Sequence, residues 1–505
     1  MILDTVTVDR DVALSADVCV VGSGAGGAVM AQELATSGRS VVVVEEGSYM
    51  VGRDFTQREE QMVPRLYADQ GARATVDTTA MIFQGCVVGG STVSSYCVCE
   101  RTPRPVLAHW STALGIPGVR AENMLPFFAR VEAMANVRPL VADDLNKNNR
   151  QLKTGADRLG FRNHLPAHNR IECLGCGYCA LGCTYDRKAD ALSVHLPAAS
   201  QRGAVIVPDC RIERISVTDG RATGVTGRFL RSHGGHPYAL RVRAATVVLA
   251  AGAIGSPVLW LRSQLPNTYR QVGRHLHLQP MVAVGALFDE EIAGWRGIPQ
   301  TVIVDQFLDL DHAVEGGYLI YPFFAQPIAT ASLLPGFGAD CRRLMEAYPR
   351  LALAAVMLHD RTTGRVELDA SGRPSISYLL NDDDRSDLLD GMRRLADIHF
   401  ASGAQRVILP YDPLIELARR GDYRAIDERP LRANDPLLFS YHPQGTMRMG
   451  TDPKRSVVNG VGEAHEVKRL FVADASIFPT STAVPPQLSV MAFALRTAQH
   501  IAAAS

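Results

Sequence analysis

The chain is 505 residues long and carries 52 Lys plus Arg against 52 Asp plus Glu, so its formal net charge is zero. That length exceeds one ordinary hydrophobic core and calls for two or three packed lobes, with room for a large buried site. Without net charge there is no long-range field to favour nucleic acid or an anionic membrane surface, which points to a small neutral substrate.

The N-terminal residues lack a basic stretch followed by an apolar one, and nowhere do about 18 uncharged apolar residues run together. The chain therefore reads as soluble and cytoplasmic, with no export signal and no transmembrane segment. No fixed-period repeat or low-complexity tract is present, which argues against solenoids and propellers.

Residues 17–21 predict a first strand, residues 28–35 a helix, and the β-branched run 41–44 a second, buried strand. Between strand and helix, Gly22, Gly24 and Gly27 spell G-x-G-x-x-G, where backbone N–H groups meet a pyrophosphate at the positive end of a helix. Glu45 closes the second strand eighteen residues after Gly27, where a carboxylate accepts hydrogen bonds from a ribose diol. A glycine turn that merely packs helix on strand would not need that acid, though the fingerprint alone does not separate FAD from NAD.

Further along, residues 246–249 and 470–472 are short apolar strands. Strands scattered so widely imply a nucleotide-binding part assembled from discontinuous segments. Residues 366–368 and 375–378 flank a turn at Ser371, Gly372, Arg373 and Pro374, which predicts an antiparallel hairpin within a separate substrate-covering sheet. Asp382, Asp383 and Asp384 precede an apolar-periodic run through Leu388, Leu389, Met392 and Leu395, as at a capped helix start, and need no metal to explain them.

Several later segments resemble the glucose-methanol-choline (GMC) oxidoreductases over nearly the whole chain. GCVVGGST at 85–92 looks like the family's first signature and GAIGSPVL at 252–259 like its second. VGRHLHL at 272–278, HPQGTMRMG at 442–450 and LFVADASIFP at 470–479 are similar to three further family segments, in family order. The resemblance implies an α/β fold: a Rossmann-like FAD-binding domain from discontinuous segments, with an α+β part whose antiparallel sheet binds substrate. Residues 1–280 would form the FAD domain, with an inserted lid and cysteine segment at about 150–190. Residues 281–435 would be mainly substrate-binding, and 436–505 would return to the FAD domain with the catalytic motif.

By the same resemblance Gly22, Gly24 and Gly27 hold the pyrophosphate and Glu45 the adenosine ribose, with Ile212 near adenine. Gly90 and Ser91 meet the flavin side, Asp474 the ribityl chain, and Ala475, Pro486 and Gln487 complete the cofactor contacts. Oxidising an alcohol by flavin needs one base within hydrogen-bond reach of the hydroxyl, and His442 is the expected residue. The family's second polar group is missing: Pro485 stands where a His or Asn is usual, and proline offers no side-chain hydrogen bond. His442 then works alone, or a neighbour such as Tyr441 or Gln487 contributes. Ser95 and Gln279 also depart from the family pattern, at positions expected near flavin or substrate.

Cys173, Cys176, Cys179 and Cys183 give C-x2-C-x2-C-x3-C, the spacing by which bacterial ferredoxins present thiolates to iron. Thr184 replaces the proline that follows in ferredoxins, so the spacing leaves open an iron–sulfur cluster, a zinc site, or thiols and disulfides. A cluster near flavin would pass single electrons to an acceptor protein or small subunit and favour a dehydrogenase over an oxidase. Cys97 and Cys99 read as buried residues facing the same way on one extended strand. The expected function is FAD-dependent oxidation of a small-molecule alcohol. A non-redox flavin lyase and an electron-relay subunit are the competing readings.

Overall fold

The computed structural model describes residues 1–308, 310, 315–334, 338–429 and 431–504. The strand Val12–Val21 runs parallel to Val41–Val44 on one side and to Ala239–Leu249 on the other. Val41–Val44 pairs in parallel with Val205–Val207, and Ala239–Leu249 with Leu470–Val472. Arg221–Phe229 and Cys210–Thr218 complete the sheet as an antiparallel edge. The nucleotide-binding sheet is thus assembled from three distant stretches of chain, 12–44, 205–249 and 470–472. The first strand is longer than expected because residues 12–17 alternate between partly buried and exposed positions. Only its end is buried on both faces, and only that end reads as an apolar run.

The helix Ala25–Thr36 follows its N-cap Gly24, and two positions of its first turn, Gly26 and Gly27, leave no room for a side chain. A Cβ on Gly26 would lie 1.7 Å from the Ala473 carbonyl oxygen, and one on Gly27 would lie 2.0 Å from that of Gly22. Gly27 therefore sets the close approach of helix and turn. Gly27→Ala should lower the unfolding free energy by about 1–3 kcal/mol, the usual range for overpacking, read as a fall in the urea midpoint at unchanged m.

A second sheet faces the first. Met281–Leu287 pairs antiparallel with Leu351–Leu358, which pairs with Tyr318–Pro322. Beyond these lie Ile303–Val304 and Asn163–His164 on one side and Arg406–Leu409 and Ile415–Leu417 on the other. Leu438–Ser440 joins beside Met281 and brings Ala80–Ile82 with it, in parallel. Because side chains alternate along each strand, the sheet has two apolar faces. Val282, Val284, Ile320 and Val356 lie in one core together with Leu388, Met392 and Leu395 of the helix Asp382–Ser402. Met281, Tyr321, Met357 and Phe439 turn the other way, into the core shared with the nucleotide sheet.

The helix Asp382–Ser402 is capped by Asn381, whose side chain accepts from the Asp384 N–H at 2.8 Å. The hairpin forms as Gly364–Leu368 and Pro374–Ser377. It does not belong to the covering sheet, however. It pairs with Arg274–Leu276 in a separate three-stranded sheet, because its register partner is the segment after the second glycine motif. Among the described residues no helix is long and apolar enough to cross a membrane.

Candidate functional site

The parallel strands Val12–Val21, Val41–Val44, Ala239–Leu249 and Leu470–Val472 all end on one cavity of about 1060 Å³, at the upper end of ligand-site volumes and large enough for a dinucleotide. Gly22, Gly24, Glu45, Gly90, Ser91, Ile212, His442, Asp474, Ala475, Pro485, Pro486 and Gln487 all line it. Gly27 is not among the lining residues; a Cβ there would lie 2.0 Å from the Gly22 carbonyl oxygen, so its missing side chain serves the packing of the helix on the turn.

At one end, Glu45 accepts from Ser23 N at 2.9 Å and Ser23 Oγ at 2.7 Å on one oxygen and from Gly47 N at 2.9 Å on the other. Burial raises its pKa, and these hydrogen bonds oppose the rise. The glycine loops meet backbone to backbone. Gly90 has φ +55, and a Cβ there would lie 2.7 Å from Gly24 Cα. Asp474 accepts from Gly252 N at 2.9 Å, Ser256 Oγ at 2.5 Å, Ser476 N at 2.8 Å and Ser476 Oγ at 2.5 Å. Four donors fill the lone-pair sites of one carboxylate, so here Asp474 locks the second glycine motif to the C-terminal strand. The first turn of the helix Gln487–Ala503 also lines the cavity and turns the positive end of its dipole towards it.

The opposite wall is built by the second sheet. Met281, Tyr321 and Tyr441 line it, together with Tyr96 from the segment after the first glycine signature. His442 follows the strand Leu438–Ser440 and is held by its backbone. Its N–H donates to Ser440 Oγ at 3.1 Å, and its carbonyl accepts from Gln444 Nε2 at 3.2 Å. Gln444 Oε1 in turn accepts from Thr482 N at 3.1 Å, which ties the histidine to the segment that carries Pro485. The imidazole Nδ1 is buried without a partner, and no described side chain bonds either ring nitrogen. Burial pulls its pKa down to about 3, against a small opposing effect of Asp360, so the ring is neutral at ordinary pH.

Sequence reasoning missed Tyr96 and Met281 as wall residues and did not separate the cavity-facing Tyr321 from the core-facing Tyr318. The signal was the two-residue alternation that sends Tyr321 to the cavity and Tyr318 to the opposite core, where it stacks on Phe307 at 5.0 Å. Gln279, expected near flavin or substrate, lies off the wall. Its Nε2 donates to Ser481 Oγ, Thr482 Oγ1 and the Val484 carbonyl at 3.2, 3.3 and 3.2 Å and so braces the segment before Pro485. Ser95 does line the cavity.

The cysteine segment departs from expectation. Among the described residues no group of three or more His, Cys, Asp or Glu is placed to hold a metal ion. Arg170 inserts between sulfurs instead, with Nη1 3.7 Å from Cys173 Sγ and 3.3 Å from Cys179 Sγ, while Cys183 Sγ accepts from Arg187 N at 3.1 Å. With a guanidinium bridging two of the four sulfurs, Cys173, Cys176, Cys179 and Cys183 as arranged do not fit an iron–sulfur or zinc centre, and none of them lines the cavity. Nor are Cys97 and Cys99 on one strand, because Cys97 has φ +71, which breaks the extended run. Both are buried, and only Cys97 reaches the cavity.

Parallel strands ending on a glycine cradle, opposed by an antiparallel sheet with a neutral imidazole in the wall, define a dinucleotide-dependent oxidoreductase architecture. The two GMC oxidoreductase family models match residues 63–281 and 360–494, and a model of NAD(P)-binding Rossmann-like domains matches 20–84. A GMC-type oxidoreductase of Mycobacterium tuberculosis is 33% identical over 501 residues, which cover 97% of this chain and 76% of the relative. Long-chain-alcohol oxidase FAO3 of Arabidopsis thaliana is 30% identical over 516 residues, covering 97% of this chain and 68% of that one. In fold, the chain is similar to a pyridoxine 4-oxidase from Mesorbium loti, with TM-score 0.72 and 19% identity over 96% of this chain and 98% of that one. The chain belongs to the GMC oxidoreductase family.

Proposed function

We propose that this GMC oxidoreductase binds FAD in the central cavity and oxidises the CH–OH group of an uncharged, largely apolar alcohol, with His442 as the base. The observation that carries this reading is a neutral imidazole, without a hydrogen-bond partner among the described residues, in the wall of the cavity that the glycine cradle opens into. Gly22, Gly24 and Gly90 would receive the pyrophosphate, Glu45 the ribose and Ile212 the adenine, while the Gln487 helix end would face the flavin. FAD, when bound, supplies a ring that accepts the hydride from the substrate carbon.

His442 then takes the hydroxyl proton onto its free ring nitrogen, and Ser440 and Gln444 hold its backbone while it does so. Around it, Tyr96, Met281, Tyr321 and Tyr441 form a wall without formal charge, which suits an apolar alcohol and excludes a charged one. With Arg170 lying between Cys173 and Cys179, the cysteine segment lends no support to an electron relay. The long-chain-alcohol oxidases among the relatives favour oxygen as acceptor.

Anaerobic mixing with primary alcohols of increasing chain length should bleach the yellow flavin absorbance, and admitting air should restore it with one hydrogen peroxide per alcohol. A flavin lyase would show no bleaching, and a relay subunit would be reduced only by a protein donor. Either result overturns the proposal.

A further inference from the structure

Four tyrosines line the cavity, and the protein already engages three of their hydroxyls. Tyr67 Oη donates to the Ala180 carbonyl at 2.9 Å and Tyr96 Oη to the Phe324 carbonyl at 2.6 Å. Tyr321 Oη lies 3.1 Å from the sulfurs of both Met281 and Met357. Tyr441 Oη has no hydrogen-bond partner among the described residues. Its ring cannot swing away to find one. It stacks on Phe83, with centroids 5.1 Å apart and planes at 20°, and meets Phe439 edge-on at 6.0 Å. With no described residue competing for it, this hydroxyl is free to meet a ligand in the cavity.

Three further observations say which ligand atom that is. Tyr441 directly precedes His442, and both line the same cavity. Across it, Pro485 offers no donor. Burial, with Tyr67 and Tyr321 nearby, holds the Tyr441 phenol well above its ordinary pKa, so it stays a donor at every working pH. We propose that Tyr441 donates a hydrogen bond to the oxygen of the alcohol that His442 deprotonates, and so serves as the second polar group of the site. This rests on the alcohol-oxidising reading above. No bond to Tyr441 is made or broken: the hydroxyl proton passes to His442, the phenol keeps its own, and its hydrogen bond strengthens as negative charge grows on the substrate oxygen.

Tyr441→Phe keeps the ring and its packing and removes only the donor. Flavin reduction by the best primary alcohol should slow by about tenfold or more. Binding of 2,2,2-trifluoroethanol, followed by its perturbation of the flavin spectrum, should weaken as well, while the FAD dissociation constant and the melting temperature stay put. Unchanged reduction and unchanged trifluoroethanol binding would overturn the assignment. So would loss of FAD from the variant, which would place the hydroxyl on the cofactor, or a larger loss in Tyr321→Phe than in Tyr441→Phe. His442→Ala separates the two levels. If it slows reduction while Tyr441→Phe does not, only the role of Tyr441 fails; if it too reduces normally, the base assignment itself falls.

Discussion

His442→Ala should slow reduction of the bound flavin by alcohol by about a hundredfold or more, with FAD still bound. The residue sits in the cavity wall, is neutral because burial pulls its pKa to about 3, and has no partner among the described residues competing for its ring nitrogens. The glycine loops and Glu45 lie on the facing side of the cavity and do not touch it, so cofactor binding has no reason to fail. Stopped-flow reduction under nitrogen measures the first expectation, and retention of yellow colour through gel filtration the second. The depressed pKa adds a signature. An ordinary histidine base would lose activity below about pH 6.5, whereas a ring neutral down to about 3 leaves kcat/KM flat from pH 8 to 5. Added imidazole should restore part of the alanine variant's rate. A variant that reduces as fast as wild type would move the base elsewhere.

The nucleotide-binding half was legible because its strands are buried on both faces. Residues 41–44 and 470–472 are continuous apolar runs, and each was read to the residue. The second sheet was not, because it is stitched from pieces as short as Asn163–His164 and Ile303–Val304, whose partners are set by packing rather than by local pattern. In the site, motif spacing located His442 and the glycine cradle but not what each side chain does. Gly27 reads like Gly24 in the fingerprint, yet only the distance from its absent Cβ to the Gly22 carbonyl shows how tightly it packs against the turn. The cysteine spacing shows that four sulfurs are near one another in the chain. Nothing in it says that Arg170, outside the motif, fills the gap between two of them. Ser440, which holds the histidine N–H, lies outside every motif, and Gln444 lies inside the 442–450 motif without any sign there that its side chain holds the histidine carbonyl.

Acid should destabilise the folded protein through histidines far from the chemistry. His195, His359 and His399 are 0, 1 and 2% exposed, and burial pulls each pKa down to about 4. Above about pH 6.5 these residues are neutral in both the folded and the unfolded chain, so they add no pH dependence. As pH falls below that value the unfolded chain takes up a proton at each site while the folded chain does not, and stability drops until the folded pKa near 4 is passed. Each site costs about 1.4 kcal/mol per pH unit across that window, so three together approach the ~5–15 kcal/mol that holds a typical domain folded. Other groups oppose them. Burial raises Glu45, Asp190 and Asp474, and His277 is raised as well, its ion pair with Asp360 outweighing its own burial. A single-site difference isolates the histidine contribution from this background. His399→Leu fills a similar volume on the helix Asp382–Ser402 and cannot titrate. Its unfolding free energy relative to wild type should rise by about 2 kcal/mol between pH 6.5 and pH 5, measured by urea unfolding at both values. Parallel pH curves for the two proteins would show that the His399 ring is protonated as readily when folded as when unfolded.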